Sequence, residues 1–209
     1  MIDYSLYLVT DSDFCCGGFF DTIEKAIAGG VSIIQIREKS LGSRPFLEKA
    51  SRLMQIAKSA GVPVLINDRV DIALAVGADG VHIGQNDLPL EIVRRIIGQG
   101  AVIGVSVSSV EEAHLAENGG ADYIAVSPVW GTPTKPDTPE AVGLGGTAKI
   151  ARSVSIPCVG IGGINANNAA DVIKTGCAGV AVVSAIMASE FPEKSAKELR
   201  RIIDAAKKD

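Results

Sequence analysis

Between Gln35 and Lys39 the chain reads Gln-Ile-Arg-Glu-Lys, directly after an apolar run. In an extended backbone alternate residues share a face, so Gln35, Arg37 and Lys39 point one way and Ile36 the other. Two cations and an amide crowded together call for an anion, because like charges held close raise each other's cost; the alternative is a plainly solvated strand end. Asn67-Asp68-Arg69 and Gly84-Gln85-Asn86-Asp87 follow two later apolar runs. Asp68 and Asp87 would repel if they met, unless a proton or a cation lay between them. Mg²⁺ suits such a pair, since it takes one or two protein carboxylates and leaves its other positions to water and phosphate. Taken singly, each aspartate reads better as an N-cap, Asp87 for a helix near Leu88-Pro89 and Asp68 for one near Val70. Ser106 closes the run Val102-Ile103-Gly104-Val105 and could hydrogen-bond a ligand or only a turn.

These residues need a frame that brings distant segments together, and the pattern supplies one. Short β-branched runs occur at Leu6–Val9, 32–35, 62–66, 80–83, 102–105, 122–126, 157–161 and 179–183. Apolar residues at helical spacing fill the intervals, as in Phe46-Leu47, Ala50, Leu53-Met54 and Ala57. Several of these helical stretches end in glycine just before the next run, among them Gly30, Gly61, Gly77 and Gly120. Eight strands in 209 residues leave about 26 per unit, close to the minimum for a βα repeat. The pattern predicts an α/β fold, a (β/α)₈ TIM barrel forming a single catalytic domain over 1–209. A doubly wound open sheet is the alternative, disfavoured by the strand number and by the lack of one dominant glycine-rich turn.

A barrel places its working residues at the C-terminal ends of the strands. Gly160-Ile161-Gly162-Gly163-Ile164-Asn165 and Val183-Ser184 follow the last two strands, where such barrels commonly cradle phosphate, and Asn165 and Ser184 read as N-caps of the helices that follow. His82 and His114, the two histidines of the chain, read as packing and as a solvated helix face. That leaves histidine acid–base catalysis with little support.

Composition narrows the partners. With 47% hydrophobic and 21% charged residues and a net charge of −4, the chain is an ordinary globular protein with no basic stripe for nucleic acid. No apolar run approaches a membrane span and no signal pattern opens the chain, so a cytoplasmic location is expected. The four cysteines lack a Cys-x-x-Cys spacing and read as reduced thiols. Whether the protein works as a homodimer is left open.

Gln35 to Lys39, Asn67-Asp68, Gly80 to Asp87, Gly104-Val105-Ser106, Thr132-Pro133-Thr134-Lys135, Gly162-Gly163-Ile164 and Val183-Ser184 together resemble thiamine phosphate synthase. The motifs run in order from the first strand to the last. The resemblance implies a transferase that joins hydroxymethylpyrimidine diphosphate to a thiazole phosphate, or its carboxylate form, releasing diphosphate with the help of Mg²⁺. It assigns Gln35, Arg37, Lys39, Asn67, Ser106 and Lys135 to the pyrimidine diphosphate, with Lys135, Ser106 and Arg37 taken as catalytic. It assigns Asp68 and Asp87 to the metal, and Thr132, Pro133, Thr134, Gly163, Val183 and Ser184 to the thiazole phosphate. Related thiazole tautomerases carry a histidine two residues after the serine of the fifth strand and lack the Thr-x-Thr-Lys loop. This chain has Ser108 there and keeps the loop, which favours the synthase over a tautomerase or a non-catalytic barrel that binds thiamine precursors.

Overall fold

In the computed structural model, residues 2–132 and 140–208 are described. The strands are β1 (Leu6–Val9), β2 (Ile33–Ile36), β3 (Val64–Asn67), β4 (Gly80–Ile83), β5 (Val102–Val107), β6 (Tyr123–Val126), β7 (Cys158–Ile161) and β8 (Gly179–Val182). They pair in chain order into a closed barrel, and every pair is parallel. Between and after them lie α1 (Phe19–Ala28), α2 (Ser43–Ser59), α3 (Val70–Val76), α4 (Leu90–Ile97), α5 (Val110–Asn118), α6 (Gly143–Ser153), α7 (Ala169–Lys174), α8 (Ser184–Met187) and α9 (Pro192–Ala206). The (β/α)₈ barrel predicted from the strand spacing is the fold observed.

The alternation along each strand builds two cores. Leu6, Leu8, Ile34, Ile36, Ile66 and their counterparts point outward and pack under the helices. Tyr7, Val9, Ile33, Leu65, Tyr123 and Val159 point inward and fill the barrel. Ile36 therefore faces the helices, as the alternation required, while Gln35 is buried on the inner side.

Three local expectations change. β5 continues through Ser106 to Val107, which is buried, so Ser106 lies within the strand instead of closing it. Asp68 and Asp87 cap no helix: α3 and α4 have Arg69 and Pro89 at their N-caps, without side-chain capping bonds. Asn165 also does not cap α7, which begins at Ala169. The Asn165 side chain instead accepts from the Asn167 N–H, and Asn168 Oδ1 accepts from the Asn165 N–H, holding an irregular turn between β7 and the helix. Ser184 is the first residue of α8, with Val183 as its N-cap.

Candidate active site

A cavity of about 290 Å³ opens at the C-terminal ends of the strands. Eight of the residues that the resemblance assigns to the substrates line it: Gln35, Arg37, Asn67 and Ser106 on one side, Thr132, Gly163, Val183 and Ser184 on the other. The barrel positions each group by register, since Gln35, Arg37 and Asn67 all emerge from the ends of β2 and β3, which pair directly. Lys39, Asp68 and Asp87 are not part of this lining and form a separate polar cluster nearby in sequence to it. Pro133, Thr134 and Lys135 lie outside the described residues.

The two cations after β2 each meet a protein carboxylate, which the sequence did not disclose. Arg37 Nη1 donates to Asp11 Oδ2 at 2.6 Å, and both side chains are largely buried. Lys39 Nζ donates to Asp68 Oδ2 at 2.5 Å. Charge crowding is thus relieved within the chain before any ligand arrives. Arg37 keeps further guanidinium donors, because only one of its five N–H groups is needed for the Asp11 bond.

Asp68 and Asp87 come together as their spacing suggested. Burial pushes the Asp87 carboxyl up from its ordinary value, and Asp68 adds to this through a shared hydrogen bond and its charge, against the lowering by the Gly84 N–H. That N–H donates to Asp87 Oδ2 at 2.7 Å. Asp68 has a φ of 60°, the left-handed region that costs most residues energy and that aspartate tolerates best after glycine and asparagine. Strain of this kind is kept where a side chain must be aimed. Two carboxylates held this closely suit a divalent cation, with oxygen donors of the type Mg²⁺ prefers.

The barrel interior holds a group of residues that the sequence reading passed over. Gln35 Nε2 donates to the Tyr7 hydroxyl at 2.8 Å, and the Tyr7 and Tyr123 hydroxyls are 2.9 Å apart. Tyr123 Oη lies 2.7 Å from His82 Nδ1, and His82 Nε2 lies 2.8 Å from Ser106 Oγ. His82 is buried, as its packing assignment required, yet it also lines the cavity together with Tyr7. The available signal was its position on the inward face of β4, two strands from Gln35.

On the phosphate side, Gly162 and Gly163 have φ values of 103° and 66°. A Cβ on Gly163 would come within 2.9 Å of the Trp130 Cβ, so glycine lets the turn after β7 lie against the segment leaving β6. The Trp130 N–H donates to the Gly162 carbonyl at 3.2 Å, tying the two segments together.

A family model described as thiamine monophosphate synthase matches residues 6–186. The chain belongs to the thiamine monophosphate synthase family. It is 50% identical over 201 residues to a thiamine-phosphate synthase of Syntrophomonas wolfei, with 96% of each chain covered. A thiamine-phosphate synthase of Chloroflexus aurantiacus is 46% identical over 204 residues, covering 97% of this chain and 94% of the relative. Among solved structures, the thiamine phosphate pyrophosphorylase from Pyrococcus furiosus superposes with a TM-score of 0.90 at 40% identity, covering 98% of this chain and 97% of that one.

Proposed function

We propose that the chain is a thiamine-phosphate synthase, a transferase of thiamine biosynthesis that displaces diphosphate from hydroxymethylpyrimidine diphosphate with the nitrogen of a thiazole phosphate. The observation that carries this reading is the cavity itself. Gln35, Arg37, Asn67 and Ser106 line it together with Gly163, Val183 and Ser184, which supports a site for two substrates in a chain matched by a thiamine-phosphate synthase over 96% of that relative's length.

Departure of diphosphate from the exocyclic carbon leaves a cation that an electron-rich aminopyrimidine stabilises, and the thiazole nitrogen then attacks it. No strong general base is required. Arg37, and Lys39 and Lys135 on sequence grounds, would meet the negative charge collecting on the leaving group, in a site where preorganised charges act strongly. Asp68 and Asp87 would hold Mg²⁺, which when bound would supply further charge neutralisation for the diphosphate. Ser106, Gln35 and Asn67 would orient the pyrimidine. Thr132, Pro133, Thr134, Gly163, Val183 and Ser184 would receive the thiazole phosphate.

Ser108 weighs against the tautomerase reading. Its N–H and hydroxyl both donate to Glu112 Oε2, at 2.6 and 3.0 Å, so the side chain is engaged with α5 and not with the cavity. A cytoplasmic setting suits the four cysteines, which are free. No described helix is long and apolar enough to cross a membrane.

Product analysis with both substrates and Mg²⁺ tests the reading. Thiamine phosphate and diphosphate in equal amounts support it. An isomerised thiazole carboxylate formed without the pyrimidine would mean a tautomerase, and binding without turnover would mean a non-catalytic barrel.

A further inference from the structure

Five side chains from five strands form one line of hydrogen bonds across the barrel: Gln35 on β2, Tyr7 on β1, Tyr123 on β6, His82 on β4 and Ser106 on β5. Tyr7 and Tyr123 are 1% and 0% exposed, so neither hydroxyl has water to turn to. Among the described residues no buried side-chain nitrogen or oxygen lacks a hydrogen-bond partner. A line this dry has little freedom, because an unpaired buried donor costs more than the bond it would have made.

The polarity of the line follows from its first member. The Gln35 NH₂ group can only donate, so the Tyr7 oxygen accepts from it. Each phenol has one hydrogen, and that of Tyr7 must then go to the Tyr123 oxygen. Tyr123 must in turn donate to His82 Nδ1. Burial pushes both phenols above their ordinary range, so both remain protonated and able to pass the polarity on. With Nδ1 accepting, a neutral His82 carries its proton on Nε2, from which it donates to Ser106 Oγ. One lone pair of the Ser106 oxygen is thereby taken, and its own hydrogen is left to give into the cavity that it lines.

We infer that Tyr7, Tyr123 and His82 are positioning residues that hold Ser106 as a hydrogen-bond donor toward the bound substrate, with Gln35 setting the direction of the whole line. Ser106 would then be the donor to an acceptor atom of the substrate, a ring nitrogen or a phosphate oxygen. Against a substrate with no acceptor there, the serine hydrogen would be left unpaired in a closed site, which disfavours such a substrate. The inference rests on the proposed assignment of this wall to the pyrimidine substrate. Its physical core, the tautomer of His82, does not.

The test begins with the substrate-free protein. Long-range ¹H–¹⁵N spectra resolve the nitrogens of two imidazoles, and a His114→Gln variant identifies the His82 pair. A neutral His82 with its proton on Nε2 is expected. A proton on Nδ1, or on both nitrogens, at pH 8 would overturn the inference. Gln35→Glu replaces the donor that opens the line by an acceptor, so the phenol O–H groups should turn round and the neutral imidazole should carry its proton on Nδ1 in place of Nε2. A His82 spectrum untouched by that change would also overturn it. In kinetics, Tyr123→Phe should lower kcat/KM for the pyrimidine diphosphate by about tenfold, the worth of one hydrogen bond, with the thiazole phosphate KM unchanged. Equal losses for both substrates would mean a packing role. If the protein made no thiamine phosphate, the proposed function would fail while the spectra still decided the polarity.

Discussion

Gly104 on β5 stands in register with Tyr123 on β6 and with His82 on β4, and a Cβ at 104 would fall inside the Tyr123 ring. The barrel thus reserves the space of one missing side chain for a phenol that reaches toward its axis. Tyr123 fills that space, with the Tyr4 ring centroid 4.8 Å away, and delivers its hydroxyl between Tyr7 and His82.

Gly104→Ala should therefore cost more than its single methyl suggests. The ring cannot retreat without breaking bonds to two buried partners, and overpacking of this kind costs ~1–3 kcal/mol. Urea unfolding should show a lower midpoint with an unchanged slope. Activity should fall as well, because the displaced Tyr123 would no longer hold His82. A variant of unchanged stability would show that the ring has room to move.

Asp11→Asn addresses the carboxylate that sequence reading missed. The change keeps a hydrogen-bond acceptor but removes the charge that fixes Arg37 at 2.6 Å. Arg37 should sample more rotamers, and kcat/KM for the pyrimidine diphosphate should drop by about three- to tenfold, in keeping with a charge-assisted bond being roughly twice as strong as a neutral one. Steady-state kinetics with the second substrate saturating would measure it. Unchanged kinetics would make the Arg37–Asp11 pair a structural brace alone.

How much of this was legible in the sequence depends on the range of the interaction. β4 was bounded correctly at Gly80 and Ile83 because its four residues are flanked by glycine and a polar turn, and Ile36 was sent to the helix side by alternation alone. These are local signals. The Arg37–Asp11 pair joins the ends of β1 and β2, and the Tyr7–Tyr123 bond spans 116 residues of sequence. A tyrosine in an apolar run reads as core until the closure of the barrel shows which strands face each other. The aspartates fall between these cases, for each taken alone resembled a helix cap, while their places after consecutive strands already suggested that they meet, as they do with β3 and β4 paired.

Lys135→Ala tests a residue argued from the resemblance. Its proposed partner is the leaving diphosphate, whose charge grows as the carbon–oxygen bond breaks, so chemistry should suffer more than binding. The loss should be ~2–4 kcal/mol at the transition state, or roughly 30- to 1000-fold in rate. Lys135→Arg should recover little, since a planar guanidinium is longer and differently shaped. Single-turnover mixing with Mg²⁺ measures the chemical step, and an unmodified rate for Lys135→Ala would remove the residue from the catalytic set.

Asp68→Asn and Asp87→Asn separate a metal site from a strained turn. Asparagine adopts the left-handed region about as readily as aspartate, so Asp68→Asn should preserve the backbone at a φ of 60° while removing a charge. Asp87→Asn keeps an oxygen for the Gly84 N–H, 2.7 Å away in the unmodified chain, and relieves the burial of a charged group. Thermal stability should consequently hold or rise slightly in the second variant. Activity should behave in the opposite way: a lost carboxylate should weaken the apparent Mg²⁺ affinity and slow turnover on the order of tenfold or more. Lys39 supplies an internal control, because it bonds Asp68 and not Asp87. If the pair served only to anchor Lys39, Asp68→Asn alone would impair the enzyme and Asp87→Asn would respond to Mg²⁺ like the unmodified protein. Titrating Mg²⁺ against initial rate in both variants distinguishes the two, and matched losses of metal affinity are the outcome expected of two ligands to one ion.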